Sequence, residues 1–547
     1  MIREQLAGGW RRATLALLFI VPGSLAIIGV LTLSAFAPTG EWYETWRAVD
    51  PDALTRVNAA VMMTTQTLRD VAATEAYRER VLVSGALGLG AAFLAVAFGL
   101  PASALASRRS FRGTAVLRTL LLLPLIAPPI ALALGLRRLV GPGGSIGLEP
   151  GVAAAITLIG VHAVQGVALA TWLCGGAWAR VNAEAVEAAQ VLGARPWRAW
   201  RTVAWPVLRP SAVAVAAVTF GTTFVSVVVV LVAGDARLHT LETEVARGAG
   251  QPVATLAALA LVNVAVLTLA AWFAWPRPRG RMLPPRPLVG VSLLTSTLAA
   301  LVVVTVVLGA IAGLVAGAMP AEAPSATPVD AFVALMDPVS DGGSRGSWLR
   351  ALGYAAAAAV LTVAFGASAG RFVRSADRGL RRFARLGLLL PAVLGPAGIA
   401  LALSEGLQLR QGPWLVLAAH VLIAYPLVVR IVASVPLEGR EAIEAAQLLG
   451  GSRWDAWRSL RLRRVIPAGF AAAGVAAAVS LGEAAATPWL AAHGGETAAV
   501  QMLEGVTPGE AVAAPVYAAG TLMVLLAVIA LAVPGRWWAE AVSGRRR

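Results

Sequence analysis

The sequence predicts an all-α membrane protein of about twelve transmembrane helices, arranged as two fused six-helix repeats. Three observations predict it. Hydrophobic residues fill 58% of the 547 positions and charged residues only 14%, where a soluble chain carries about 25% charged residues. The apolar residues gather in charge-poor runs of about 20 residues, the length that crosses a hydrocarbon core, and the mean hydropathy is +0.75. Finally, EAVEAAQVLGARPWRAWRTVAWPVLRP (184–210) returns as EAIEAAQLLGGSRWDAWRSLRLRRVIP (441–467), with Glu441 standing 257 positions after Glu184. An internal repeat of this period among apolar runs marks two copies of one multi-helix unit.

The predicted spans are 13–33, 81–106, 115–138, 152–175, 207–233, 254–275, 288–318, 350–370, 383–405, 412–435, 464–490 and 511–534. They divide the chain into a first half (1–275), a linker (276–287) and a second half (288–547). The linker, rich in Pro, Gly and Arg, cannot propagate a helix. Arginine sets the orientation. Clusters at Arg3, Arg11 and Arg12, at Arg108, Arg109 and Arg112, at Arg277 to Arg286, at Arg371 to Arg382 and at Arg545 to Arg547 fall on one side of a twelve-span layout. That side is expected to be cytoplasmic, with both termini and both repeated segments on it, in a bacterial inner (plasma) membrane. The acid-bearing segments 34–80 and 319–349 then lie outside. The basic start, apolar run and Ala35-Phe36-Ala37 imitate a cleavable signal, but the apolar run exceeds a signal core, so no cleavage is expected.

Composition also excludes functions. The net charge is +16, but it sits in short clusters between spans rather than in a basic and aromatic patch, so no nucleic-acid partner is expected. Cys174 is the one cysteine, which leaves no intrachain disulfide or cysteine metal site, and no metal is expected. Every basic residue is Arg. A Walker nucleotide site needs a Lys at the phosphates, so any ATP used must be hydrolysed on another subunit.

Other elements repeat as well. Leu121-Leu122-Leu123-Pro124 with Pro129 and Ala131-Leu132-Ala133-Leu134 returns as Leu388-Leu389-Leu390-Pro391 with Pro396 and Ala400-Leu401-Ala402-Leu403. Proline at these places is expected to bend the spans. In the repeated segment, Glu184, Glu187 and Ala188 share a helical face. Gly193 is placed to end that helix in the left-handed conformation, and Pro196 to open a second one. Ser452 and Asp455 supply a capping signal in the second copy. Trp197 with Trp200, and Trp454 with Trp457, each share a face. Two short helices with a glycine elbow and paired indoles make a compact docking surface. An amphipathic loop lying on lipid is the plainer alternative, and two copies at one spacing weigh against it.

These residues resemble the EAA motif of ABC importer permeases. Glu187-Ala188-Ala189, Gly193, Val203 and Pro206 match it, with Trp205 in the second aliphatic place; Glu444-Ala445-Ala446, Gly450, Leu460 and Leu462 match it again, with Arg463 where the closing Pro would stand. The resemblance implies that Glu184, Glu187, Ala188, Ala189, Gly193, Trp197 and Trp200, and Glu441, Glu444, Ala445, Ala446, Gly450, Trp454 and Trp457, couple the chain to an ATPase. It further implies two copies of that ATPase binding ATP and Mg, a periplasmic or lipid-anchored solute-binding protein outside, and no cofactor on this chain. Phe220 to Phe224, Leu231 to Asp235, Leu238 to Glu244 and Ser480-Leu481-Gly482-Glu483 look like stretches of thiamine and iron(III) importer permeases.

Inside the spans, Glu483 is either a path-lining acid or a helix-end carboxylate at interfacial water. Ser480, Thr222 and Thr223 are further path candidates, as is Ser226, although Ser and Thr also serve as interhelical glue. His162 and His420 read as neutral, hydrogen-bonded interface residues, and Glu405 as a membrane-edge residue. The rival functions are a 6+6 secondary transporter, which would need working acids in its spans, and a membrane scaffold for a two-fold cytoplasmic partner.

Overall fold

A computed structural model describes residues 20–36, 67–109, 111–142, 144–233, 238–248, 251–273, 293–319, 333, 344–375, 388, 390–407, 409–434, 440–452, 454–455, 458, 463–492, 495–506, 512 and 514–543. Among these residues the regular structure is helical throughout, with no strand. The linker 276–287, Asp235, Trp457, Leu460, Leu462, most of 319–349 and the terminal arginines lie outside the described residues.

The first half comprises α1 (Val21–Phe36), α2 (Glu75–Arg108), α3 (Thr114–Ile126), α4 (Pro129–Val140), α5 (Pro150–Trp178), α6 (Ala183–Val191), α7 (Pro196–Phe224), α8 (Val228–Ala233), α9 (Leu241–Arg247) and α10 (Val253–Phe273). The second half repeats the order as α11 (Leu293–Gly317), α12 (Ser344–Ser375), α13 (Pro396–Leu401), α14 (Pro413–Ser434), α15 (Arg440–Leu448), α16 (Arg463–Leu481), α17 (Thr487–Leu490), α18 (Ala498–Glu504) and α19 (Ala514–Ser543). A 3₁₀ turn (Leu390–Val393) precedes α13 and a π turn (Ala402–Gly406) follows it. The protein is thus an all-α polytopic membrane protein.

The predicted spans are corrected in four places. Among the described residues, seven helices are long and apolar enough to cross a membrane, or eight if a bent pair counts as one. That pair is α3 and α4, which replace the straight span 115–138 and meet at 105°. The reason is local: Pro128 and Pro129 lack N–H donors, and Ala127 leaves the helix with extended backbone. The predicted span 383–405 is likewise broken, around Gly395 at φ +68°. The spans 207–233 and 464–490 stop at Phe224 and Leu481, and each is followed by a short separate helix, α8 or α17. The segments α9 and α18, unassigned from the sequence, are a further matched pair of short helices.

Packing follows the repeat. In each half three helices form a central group: α2, α5 and α7 in the first, α12, α14 and α16 in the second. The first span of each half then crosses to the other half. Helix α11 lies on α2 and α4, and α1 lies on the π turn after α13 and on the 3₁₀ turn before it. The last spans do the same, α19 packing on α3 and α4, and α10 on α13 and the 3₁₀ turn. Both large apolar clusters accordingly mix residues of the two halves: Leu134 with Leu314 and Met523 in one, Leu259 with Leu401 and Tyr425 in the other. At the α4–α11 crossing the backbones touch. A Cβ on Gly135 would overlap the Ala310 carbonyl, and one on Gly313 would overlap the Gly135 carbonyl. Small residues permit this approach where lipid offers no hydrophobic drive between helices.

Candidate functional site

The repeated segments fold as two copies of one elbow. In the first, Asn182 caps α6, its Oδ1 accepting from the N–H groups of Glu184 (2.9 Å) and Ala185 (3.4 Å). Glu184 sits in the first turn, where a carboxylate suits the helix dipole. Ala183 and Val186 are buried against the Trp178–Ala199–Leu208 cluster, while Glu184, Glu187 and Ala188 face outward. The helix ends at Gly193, φ +88°, whose N–H reaches Gln190 O at 2.9 Å while the Ala194 N–H reaches Ala189 O at 2.9 Å. The second copy gives the same pattern at Gly450, φ +86°, with Gly450 N–H to Gln447 O at 3.0 Å and Gly451 N–H to Ala446 O at 3.0 Å. This is the six-to-one and five-to-two closure of a left-handed helix end.

After the elbow the copies differ in detail. Pro196 opens α7 in the first, and a π turn at Trp200–Ala204 carries the chain into the long helix. Trp200 is stacked between Trp197 (4.9 Å) and Trp205 (5.3 Å). In the second copy Ser452 and Asp455 close a reciprocal cap, Asp455 N–H to Ser452 Oγ at 3.1 Å and Ser452 N–H to Asp455 Oδ2 at 3.3 Å. Arg108 ties the first elbow to α2 by donating to Val181 O at 3.0 Å. Arg180 donates to Gly176 O at 2.6 Å, and partial burial lowers its pKa. Exposed apolar groups are matched between the copies: Val191 (86%) and Leu192 (87%) with Leu448 and Leu449 (88% each), and Trp197 (66%) with Trp454 (60%). Glu444, Ala445 and Ala446 lie on α15 beside them, as does the backbone of Glu441.

A cavity of about 320 Å³ opens between the halves. Of the sequence candidates, Thr222, Ser226 and Glu483 line it; Ser480 and Thr223 do not. The Glu483 carboxylate is nearly buried and fully engaged. Its Oε1 accepts from Ala485 N–H (2.7 Å) and Ala486 N–H (2.7 Å), and its Oε2 from Thr487 N–H (3.0 Å) and the Thr487 hydroxyl. It therefore holds the entry to α17 rather than reaching interfacial water. His420 braces it: Nε2 lies 3.4 Å from Glu483 Oε2 and 3.0 Å from Thr487 Oγ1, and Nδ1 lies 2.7 Å from Ser480 Oγ. His162 behaves otherwise, for it lines the cavity, and neither ring nitrogen has a hydrogen-bond partner. Glu405 is exposed on the π turn.

Two important side chains went unrecognised as site residues in the sequence. Glu242, on α9, is fully buried and crosses between the halves: its Oε1 accepts from Ala397 N–H at 2.9 Å, at the start of α13, and its Oε2 from Asn263 Nδ2. Gly395 makes room for it, since a Cβ there would stand 2.5 Å from Oε1. Helix α9 is itself fixed by the reciprocal Thr240–Thr243 cap, by Leu241 N–H to Ser84 Oγ (2.9 Å) and by the Arg80–Glu244 ion pair (3.1 Å). The other is Arg430 of α14, which lines the cavity at 5% exposure. Its signal was available, since an ionisable residue within a span reads as functional.

Residues 362–547 match the family described as binding-protein-dependent transport system inner membrane component. A curated relative from Haloferax volcanii, described as a probable molybdenum ABC transporter permease protein, is 34% identical over 155 residues. That match covers 27% of this chain and 57% of the relative, so the chain spans little more than half of the relative's length.

Proposed function

We propose that the chain is the membrane-spanning permease subunit of an ATP-binding-cassette importer, both halves included. The observation that carries this reading is the pair of matched elbows, each of which presents an exposed aliphatic pair just before a left-handed glycine and an exposed indole four residues after it. Family similarity over 362–547 supports it for the second half, and the repeat extends it to the first. In this reading each elbow seats in one of two ATPase subunits, which bind ATP and Mg, and a solute-binding protein delivers cargo from outside. Closure of the ATPase pair moves the elbows and shifts the halves between inward-open and outward-open states, to the extent that its contacts differ between the two. The chain forms the path and does no covalent chemistry. Its setting is the bacterial inner membrane, with both termini cytoplasmic.

Secondary transport is the weaker reading. It needs span acids free to exchange protons or ions, and Glu242 and Glu483 are both committed to backbone N–H groups. For cargo, the resemblance at 220–244 and 480–483 points to a thiamine-like solute or iron(III), whereas the relative's name gives molybdenum.

The test is co-purification with a P-loop ATPase. Truncating Glu187 and Glu444 together to Ala is expected to weaken retention at least tenfold. Unchanged retention in the double variant, or labelling of either elbow from outside the cell, would sink the assignment.

A further inference from the structure

Resting on the permease reading above, we propose that the cavity between the halves is an anion site, that Arg430 is its cationic contact, and that the transported solute is a small oxyanion. Three buried polar side chains that line this cavity carry hydrogen-bonding groups with no partner. They are Arg430, through both terminal amino nitrogens, His162, through both ring nitrogens, and Thr219, through its hydroxyl. Buried polar atoms in folded proteins nearly always find partners. Three orphans around one cavity, drawn from both halves, therefore mark a place where the missing partner is not part of the chain.

The chemistry of the orphans selects the ligand. A guanidinium stays charged, and its planar fork matches two oxygens of an oxyanion. A hydroxyl and an imidazole N–H add neutral donors. The acid in the lining, Glu483, is already held by three backbone N–H groups, the Thr487 hydroxyl and His420, so it does not serve as the counter-ion of Arg430. A free cation such as thiamine would meet an uncompensated positive charge here. Nor is Arg430 a product of the repeat: the corresponding stretch of the first half, Trp172-Leu173, is apolar. The charge is an addition to one half, on the path, without a structural counterpart.

The experiment uses the full-length chain in lipid nanodiscs with its ATPase. Labelled molybdate, sulfate and phosphate are the anionic probes and thiamine the cationic one, read by equilibrium dialysis and by the shift in thermal midpoint that a bound ligand produces. At least one oxyanion is expected to bind. Arg430→Gln is expected to weaken it at least tenfold, and Arg430→Lys by less. Ligand-free Arg430→Gln should be no less stable than the parent, because the side chain lost has no protein partner for its terminal nitrogens. No binding of any of the three anions, equal affinity in Arg430→Gln, preferential binding of thiamine, or a destabilised ligand-free variant each overturns the proposal. Retention of the ATPase separates the two readings: a chain that holds the ATPase but binds no oxyanion loses only the anion site, whereas one that never holds it loses the permease reading and the claim of transport.

Discussion

Glu242 and Glu483 do at residue scale what backbone hydrogen bonding cannot do where a helix breaks inside a membrane protein. A helix start leaves N–H groups without intrahelical partners, and each of these carboxylates supplies acceptors for one such start, α13 or the entry to α17. Removing the acceptor leaves buried donors unmet, at a cost of roughly 1–3 kcal/mol for each group. We therefore expect Glu242→Ala to destabilise the protein by about 3 kcal/mol. Glu242→Gln, which keeps one acceptor oxygen, should cost less, and Gly395→Ala should resemble Glu242→Ala, because a Cβ there enters the space of the carboxylate. Thermal unfolding in detergent checks all three; an unaffected Gly395→Ala would refute the close approach. At this scale the site was only partly legible from the residues. Glu483 was recognisable as an acid at a span end, but its partners, His420 and Thr487, are brought to it by folding. Glu242 lay in a stretch between spans and offered no local sign that it reaches α13.

At the scale of elements, the elbows were legible and the broken spans were not. Gly193, Pro196 and the Ser452–Asp455 pair are short-range signals, each acting within a few residues, so their consequences could be derived in place. Hydropathy, by contrast, does not sense direction. Thr114 to Val140 is apolar on both sides of its turn, and the 105° between α3 and α4 falls at Pro128 and Pro129, whose missing N–H donors interrupt the helical ladder. The elbows also carry a prediction. Leu192→Glu with Leu449→Glu alters only exposed side chains, so the thermal midpoint should stay within about 0.5 kcal/mol equivalent of the parent, while ATPase retention falls at least tenfold. Gly193→Ala should cost about 1 kcal/mol, since an L-residue resists φ +88°. If both glycines accept Ala without loss of stability or coupling, the elbow is not held as described.

At the scale of the molecule, the two halves are clasped rather than merely adjacent. The first span of each lies on the broken element of the other, and the α4–α11 crossing leaves no room between backbones. Residues 1–275 and 276–547 expressed as separate chains in one cell are expected to co-purify, and Gly135→Leu is expected to abolish that association by forcing α11 away from α4. Recovery of the pair with Gly135→Leu would contradict the crossing. The repeat announced two halves in the sequence, but not this exchange, because apolar spans carry no record of which neighbour they choose. The clasp also bears on how the protein is made. Helix α1 packs on α10 of its own half as well as on the turns around α13, and it leaves the ribosome long before those turns exist, so the face that they cover must wait in the bilayer against lipid or a guardian protein until most of the second half has been synthesised. A truncated product that ends after the first half would be stranded with that face bare, and should be a ready substrate for membrane proteolysis.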